Sequence, residues 1–195
     1  MPAITDSLRS MTVGRRVTCA LLAGAPAIGV NTFLLAAADW IPLATARGGI
    51  LKLLTINVSP ALADIGAPAL WATLGLPAPG SHAFQLGFHV VVGLAMALLY
   101  GLALERRLLG PPWMKGLIYA AVVWAANALA VLPWLGEGVA GSRYLGLAGM
   151  AYFAAAHTVF FLLLAVWFAR CRRLSQHTAG AADEPSPSAG NGRCE

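Results

Sequence analysis

The stretch "FHVVVGLAMALLYGLALERR", residues 88–107, decides the fold. From Phe88 to Leu104 it is apolar except for His89, and it stops at an acid and two arginines. A helix needs about 20 such residues to cross the hydrocarbon of a bilayer. The whole chain has the same character. Of its 195 residues 58% are hydrophobic and only 11% charged, with a mean hydropathy of +0.71. A soluble domain is about 45–50% apolar and about 25% charged. The missing charge calls for a low-dielectric surrounding, and the bilayer supplies one.

Working outward, four segments are long and apolar enough to span: 17–40, 85–104, 113–135 and 148–169. Each ends at charge, at Pro/Gly clusters or at aromatics, as membrane interfaces demand. The net charge of +5 would suggest nucleic acid in a soluble protein. Here the Lys and Arg residues flank apolar runs, so they read as topology signals and no nucleic-acid partner is expected. Arg9, Arg15, Arg16, Arg106, Arg107, Lys115, Arg170, Arg172 and Arg173 fall on one side; Arg47, Lys52 and Arg143 fall on the other. This bias puts both termini in the cytoplasm and the 41–84 and 136–147 loops outside. The first span exceeds the 7–15-residue core of a signal peptide, so it is expected to stay uncleaved.

The expected fold is therefore all-α: an integral membrane four-helix bundle with an extra interfacial helix in the first outer loop. Residues 1–16 form a cytoplasmic N-terminal segment, 17–173 the transmembrane domain, and 174–195 a polar, disordered cytoplasmic tail. The interfacial helix is placed at about 59–76, with Ser59 and Pro60 as its start and Trp71 near the headgroups. Tyr100, Trp113, Tyr119, Trp124, Trp134, Tyr144, Tyr152 and Trp167 read mostly as interfacial belts. Cys19, Cys171 and Cys194 have no CxxC spacing, so neither a zinc site nor a disulfide framework is expected.

Each span carries one strongly polar side chain: Asn31, His89, Asn127 and His157. Counted from the basic flanks at 1.5 Å per residue, all four lie roughly 18 to 26 Å up, within about two helical turns of depth. His89, Gly93, Ala97 and Gly101 share an i, i+4 stripe, and small residues on one stripe let helices pack closely. Asn31 shares its face with Gly24, Ala27 and Ala38. The four polar groups read as an interhelical layer, structural or pH-responsive. A faint repeat, with Asn on the outgoing and His on the returning helix of each hairpin, suggests two parallel hairpins. The alternative is haem b held by His89 and His157 in an electron-transfer subunit. A proton or small-solute path is a further reading, weakened by the lack of a buried carboxylate to complete a relay. No paired carboxylates, P-loop, nucleophile elbow or metal-spaced cluster points to an enzyme, and no metal or other cofactor is expected. The expected partners are the lipid bilayer and a second copy or another membrane subunit.

The run "HVVVGLAMALLYGLALERRLLGPPWMKG" is followed by a helix ending "VLPWLG" and then by "AAAHTVFFLLLAVWFARCRR". In this order it resembles the YagU-like group of small bacterial inner-membrane proteins, over about residues 85–173. The resemblance implies an inner-membrane location and, loosely, a link to acid tolerance. It carries over no catalytic residues.

Overall fold

The computed structural model describes residues 11–41, 43, 49–65, 67–78 and 81–181. Regular structure among the described residues is helical throughout. Four helices are long and apolar enough to cross a membrane: α1 (Val13–Trp40), α4 (His82–Arg107), α5 (Pro112–Trp134) and the Leu147–Gln176 part of α6 (Leu147–Ala181). Two shorter helices, α2 (Gly49–Asp64) and α3 (Ala67–Thr73), join α1 to α4. The chain thus has the make-up of a small multi-pass membrane protein. Its outer surface agrees: Leu22, Val91, Val122 and Leu129 are each more than 60% exposed in the isolated chain. Such side chains belong against lipid rather than water.

Several boundaries differ from the sequence reading. Helix α1 begins at Val13, four residues early, because Thr12 caps it by accepting from the Arg15 N–H. In place of one helix over 59–76 there are two, and Pro60 lies inside α2 rather than starting a helix. The run from Gly49 to Asn57 is apolar enough to form helix first. The Thr55 and Asn57 side chains turn back onto the carbonyls of Leu51 and Leu53. The tail expected to be irregular from residue 174 is helical to Ala181. The rest of it, 182–195, lies outside the described residues, as do residues 1–10 of the N-terminal segment. The start of the helical extension has tertiary support: the Ser175 hydroxyl lies 3.8 Å from the Cys19 sulfur.

Lipid is as apolar as leucine, so close packing and polar contacts rather than the hydrophobic effect hold spans together. Here α1 packs against both α4 and α6, and α5 packs against α6. The seam between α1 and α4 is an antiparallel zipper of small residues. Gly101 meets Ala20, Ala97 meets Gly24, and Gly93 receives Ile28. The next step along both helices brings His89 onto Asn31. A methyl group on Gly24 would stand 2.5 Å from the Ala97 Cβ, whereas Gly29 on the same helix has open space. Gly24→Leu is therefore expected to cost about 1–3 kcal/mol by overpacking, while Gly29→Leu leaves stability unchanged. Thermal melts of the two variants in detergent check the difference.

Two of the belt aromatics prove to be core. Tyr100 is 1% and Tyr119 4% exposed. They stack at 6.0 Å, with Phe168 edge-on to Tyr100 and Phe161 against Tyr119. The Tyr119 hydroxyl donates to the Met96 carbonyl at 3.2 Å, which satisfies it inside the bundle. Trp113, Trp134 and Tyr144 do face outward.

Two spans contain a wide, π-type turn: Tyr100–Leu104 in α4 and Asn127–Val131 in α5. The second precedes Pro133, which lacks an N–H and crowds the carbonyl four residues back; a widened turn relieves that crowding. The first frees a backbone carbonyl for a buried arginine.

Candidate functional site: two polar tiers in the bundle

The upper tier is centred on Asn31, which is 1% exposed. Its Nδ2 donates to the Ala156 carbonyl on α6 at 2.9 Å, and its Oδ1 lies 3.0 Å from His89 Nε2 on α4. The network fixes the proton positions. A carbonyl only accepts, so the amide must aim Nδ2 at Ala156 and Oδ1 at His89. His89 must then carry its hydrogen on Nε2, leaving Nδ1 as the basic nitrogen. By the same logic His157 donates from Nδ1 to the Phe153 carbonyl, one turn back at 2.8 Å, leaving Nε2 basic. Nearby, the Tyr152 hydroxyl donates to the Leu34 carbonyl at 2.6 Å, tying α6 to α1 again.

Of the four residues assigned to a polar layer, the structure thus joins Asn31 and His89 directly. His157 stands beside Ala156 but bonds to its own helix. Asn127 is half-buried at the start of the wide turn in α5, and its side chain makes no hydrogen bond among the described residues. The two hairpins are therefore unequal. The first closes its Asn–His pair and the second does not.

The lower tier, at the arginine-rich end, has no counterpart in the sequence reading. Glu105 is buried (5% exposed) and collects three cations from three other helices. Arg172 Nη1 lies 2.6 Å from Oε1, Arg16 Nη2 3.3 Å from Oε2, and Lys115 Nζ 3.5 Å from Oε1. Arg16 is itself 4% exposed. Its guanidinium also donates through Nε (2.9 Å) and Nη2 (2.5 Å) to the Gly101 carbonyl. The wide turn makes this possible. The Glu105 N–H bonds to Tyr100, five residues back, instead of to Gly101, four back, so the Gly101 carbonyl is released to the arginine. Lys115 likewise donates to the Glu105 carbonyl at 2.6 Å.

Beside this cluster Cys19 on α1 and Cys171 on α6 form a disulfide, with Cα atoms 5.6 Å apart across 152 residues of sequence. This corrects the expectation of no disulfide framework. Sequence spacing looks for local motifs, whereas here the partners stand near opposite ends of the chain. One signal was available. Arg16, Cys19/Ala20, Ala23/Gly24, Ala27 and Asn31 all recur on one face of α1, so the stripe that carries Asn31 inward carries Arg16 and Cys19 inward too.

At the opposite end Lys52 on α2 pairs with Glu137 at 2.6 Å, and Arg143 donates to the Gly136 carbonyl. Among the described residues no group of three or more His, Cys, Asp or Glu side chains is arranged to hold a metal ion.

All these features define one class: a small all-helical multi-pass membrane protein whose spans are tied by buried polar joints. No known family model, curated protein or solved structure matches the chain.

Proposed function

We propose that this chain is a non-catalytic component of a bacterial inner membrane, in which the Asn31 joint holds three spans in register and responds to acid. The carrying observation is the Asn31 amide, buried between His89 and the Ala156 carbonyl. The nine-to-three bias of basic residues supports cytoplasmic termini. With that orientation the joint lies in the outer half of the bilayer, and α2 and α3 lie on the outer interface. The resemblance of residues 85–173 to YagU-like proteins supports the inner membrane and a role in acid tolerance.

The acid response rests on the proton positions. His89 and His157 each have one basic nitrogen, and a proton there puts positive charge into the bilayer core. Charge at that depth costs on the order of a few kcal/mol. Protonation therefore favours a loosened bundle, and the loosening grows as pH falls. Thermal melts of the purified protein between pH 8 and 5 test this. The wild type is expected to lose stability toward the acid end, and the His89→Leu/His157→Leu variant to show a flat profile. A flat wild-type profile would remove the acid response. Asn31→Leu should lower stability at every pH, by about 1–2 kcal/mol for two interhelical hydrogen bonds. An absorbance spectrum of the same sample is expected to be colourless. A Soret band that disappears in the histidine variants would replace this reading with bis-imidazole haem b.

A further inference from the structure

At the arginine-rich end, α5 and α6 part to leave a groove of about 150 Å³ lined by Pro112, Trp113, Val166, Ala169, Arg170 and Arg173. The four α6 residues follow i, i+3, i+4, i+7 spacing and so form one face of that helix. Along this face chemistry changes with depth. Val166 and Ala169 lie toward the bilayer interior, and Arg170 and Arg173 stand at the rim. Both arginines are exposed, and neither forms an ion pair among the described residues, unlike Arg16 and Arg172 on Glu105. Trp113 opens α5 on the other wall and is 55% exposed.

We propose that this groove binds one anionic phospholipid, with its phosphate between Arg170 and Arg173 and the upper part of an acyl chain along Pro112, Trp113 and Val166. Charge and shape both select this occupant. The rim offers two guanidinium groups and, among its lining residues, no acid, so it favours an anion. The floor is apolar and open to the lipid side, so it favours a hydrocarbon chain. The volume is below the about 300–1,000 Å³ of ordinary small-molecule pockets, so the occupant must lie mostly outside the protein. A lipid meets that condition. Basic pockets between spans at this depth are suited to acidic headgroups. The cluster around Glu105 is a different kind of site, because its cations already face a buried carboxylate.

The test is native mass spectrometry of the full chain, released from micelles holding equal amounts of phosphatidylglycerol and phosphatidylcholine with matched acyl chains. The wild type is expected to retain one phosphatidylglycerol. Arg170→Gln/Arg173→Gln should retain it at least about tenfold less well, at unchanged thermal stability. Arg106→Gln/Arg107→Gln removes the same charge from the same end, outside the groove, and should keep the lipid. Equal loss in both double variants would overturn the site in favour of general charge attraction. Equal retention of the two lipids by the wild type would overturn it outright.

Discussion

Glu105→Ala is expected to destabilise the bundle by about 3–5 kcal/mol, the range for breaking a buried ion pair by removing one partner. The penalty comes from what remains. Arg16 is 4% exposed and would keep its charge, its bonds to the Gly101 carbonyl and no carboxylate. The other two cations matter less. The Arg172 side chain is 39% exposed and the Lys115 side chain 15%, so each has a path to water or to lipid phosphate once Glu105 is gone. Lys115→Gln and Arg172→Gln should accordingly cost only about 1 kcal/mol or less each. Removing both members of the buried pair should restore much of the loss, because apolar groups of similar volume replace such pairs at little cost. The measurement is the midpoint of unfolding in a mixed-detergent titration, for Glu105→Ala and for Arg16→Met/Glu105→Leu. A Glu105→Ala midpoint equal to that of wild type would show that the cluster is not holding the helices.

The second large effect concerns the link between the first and last spans. Cys19→Ser or Cys171→Ser is expected to lower stability by about 2–4 kcal/mol, since a bond that closes 152 residues removes much freedom from the unfolded chain. Reductant should lower the wild-type midpoint by the same amount and leave either variant unchanged. The location adds a condition. In the proposed orientation the arginine-rich end faces the cytoplasm, where thiols are ordinarily kept reduced. Cys19 is 1% exposed and shielded between α1 and α6, so access to the bond is restricted. Maleimide labelling of both cysteines in the folded protein without reductant would refute the link.

Much of the fold was legible because lipid imposes a simple rule: long apolar runs, charge at their ends. The stripe His89, Gly93, Ala97 and Gly101 pointed to a close helix contact because small side chains have that consequence regardless of partner. The structure supplies the partner, the Ala20, Gly24, Ile28 and Asn31 face of α1. Pairing across the fold was not legible. Glu105, Arg16, Lys115 and Arg172 each look like ordinary flanking charges until four helix ends are brought together. Tyr100 and Tyr119 look interfacial by position, yet their burial is set by which way each helix is rotated. The wide turn at Tyr100–Leu104 has no adjacent proline, and the carbonyl it frees is bound by the distant Arg16. The contact of Ser175 with Cys19, where α6 runs on past residue 174, is likewise one that its small, polar sequence does not announce.

The Cys19–Cys171 bond encloses nearly all of the four membrane crossings in a single covalent ring. Two copies of such a molecule cannot trade any helix that lies within the ring, residues 19–171. Neither the opening nor the closing helix is able to leave its own bundle and lodge in a neighbour's while the ring is shut. Copies therefore meet as intact rings, and exchange of the enclosed segments between them first requires the ring to be opened by reduction.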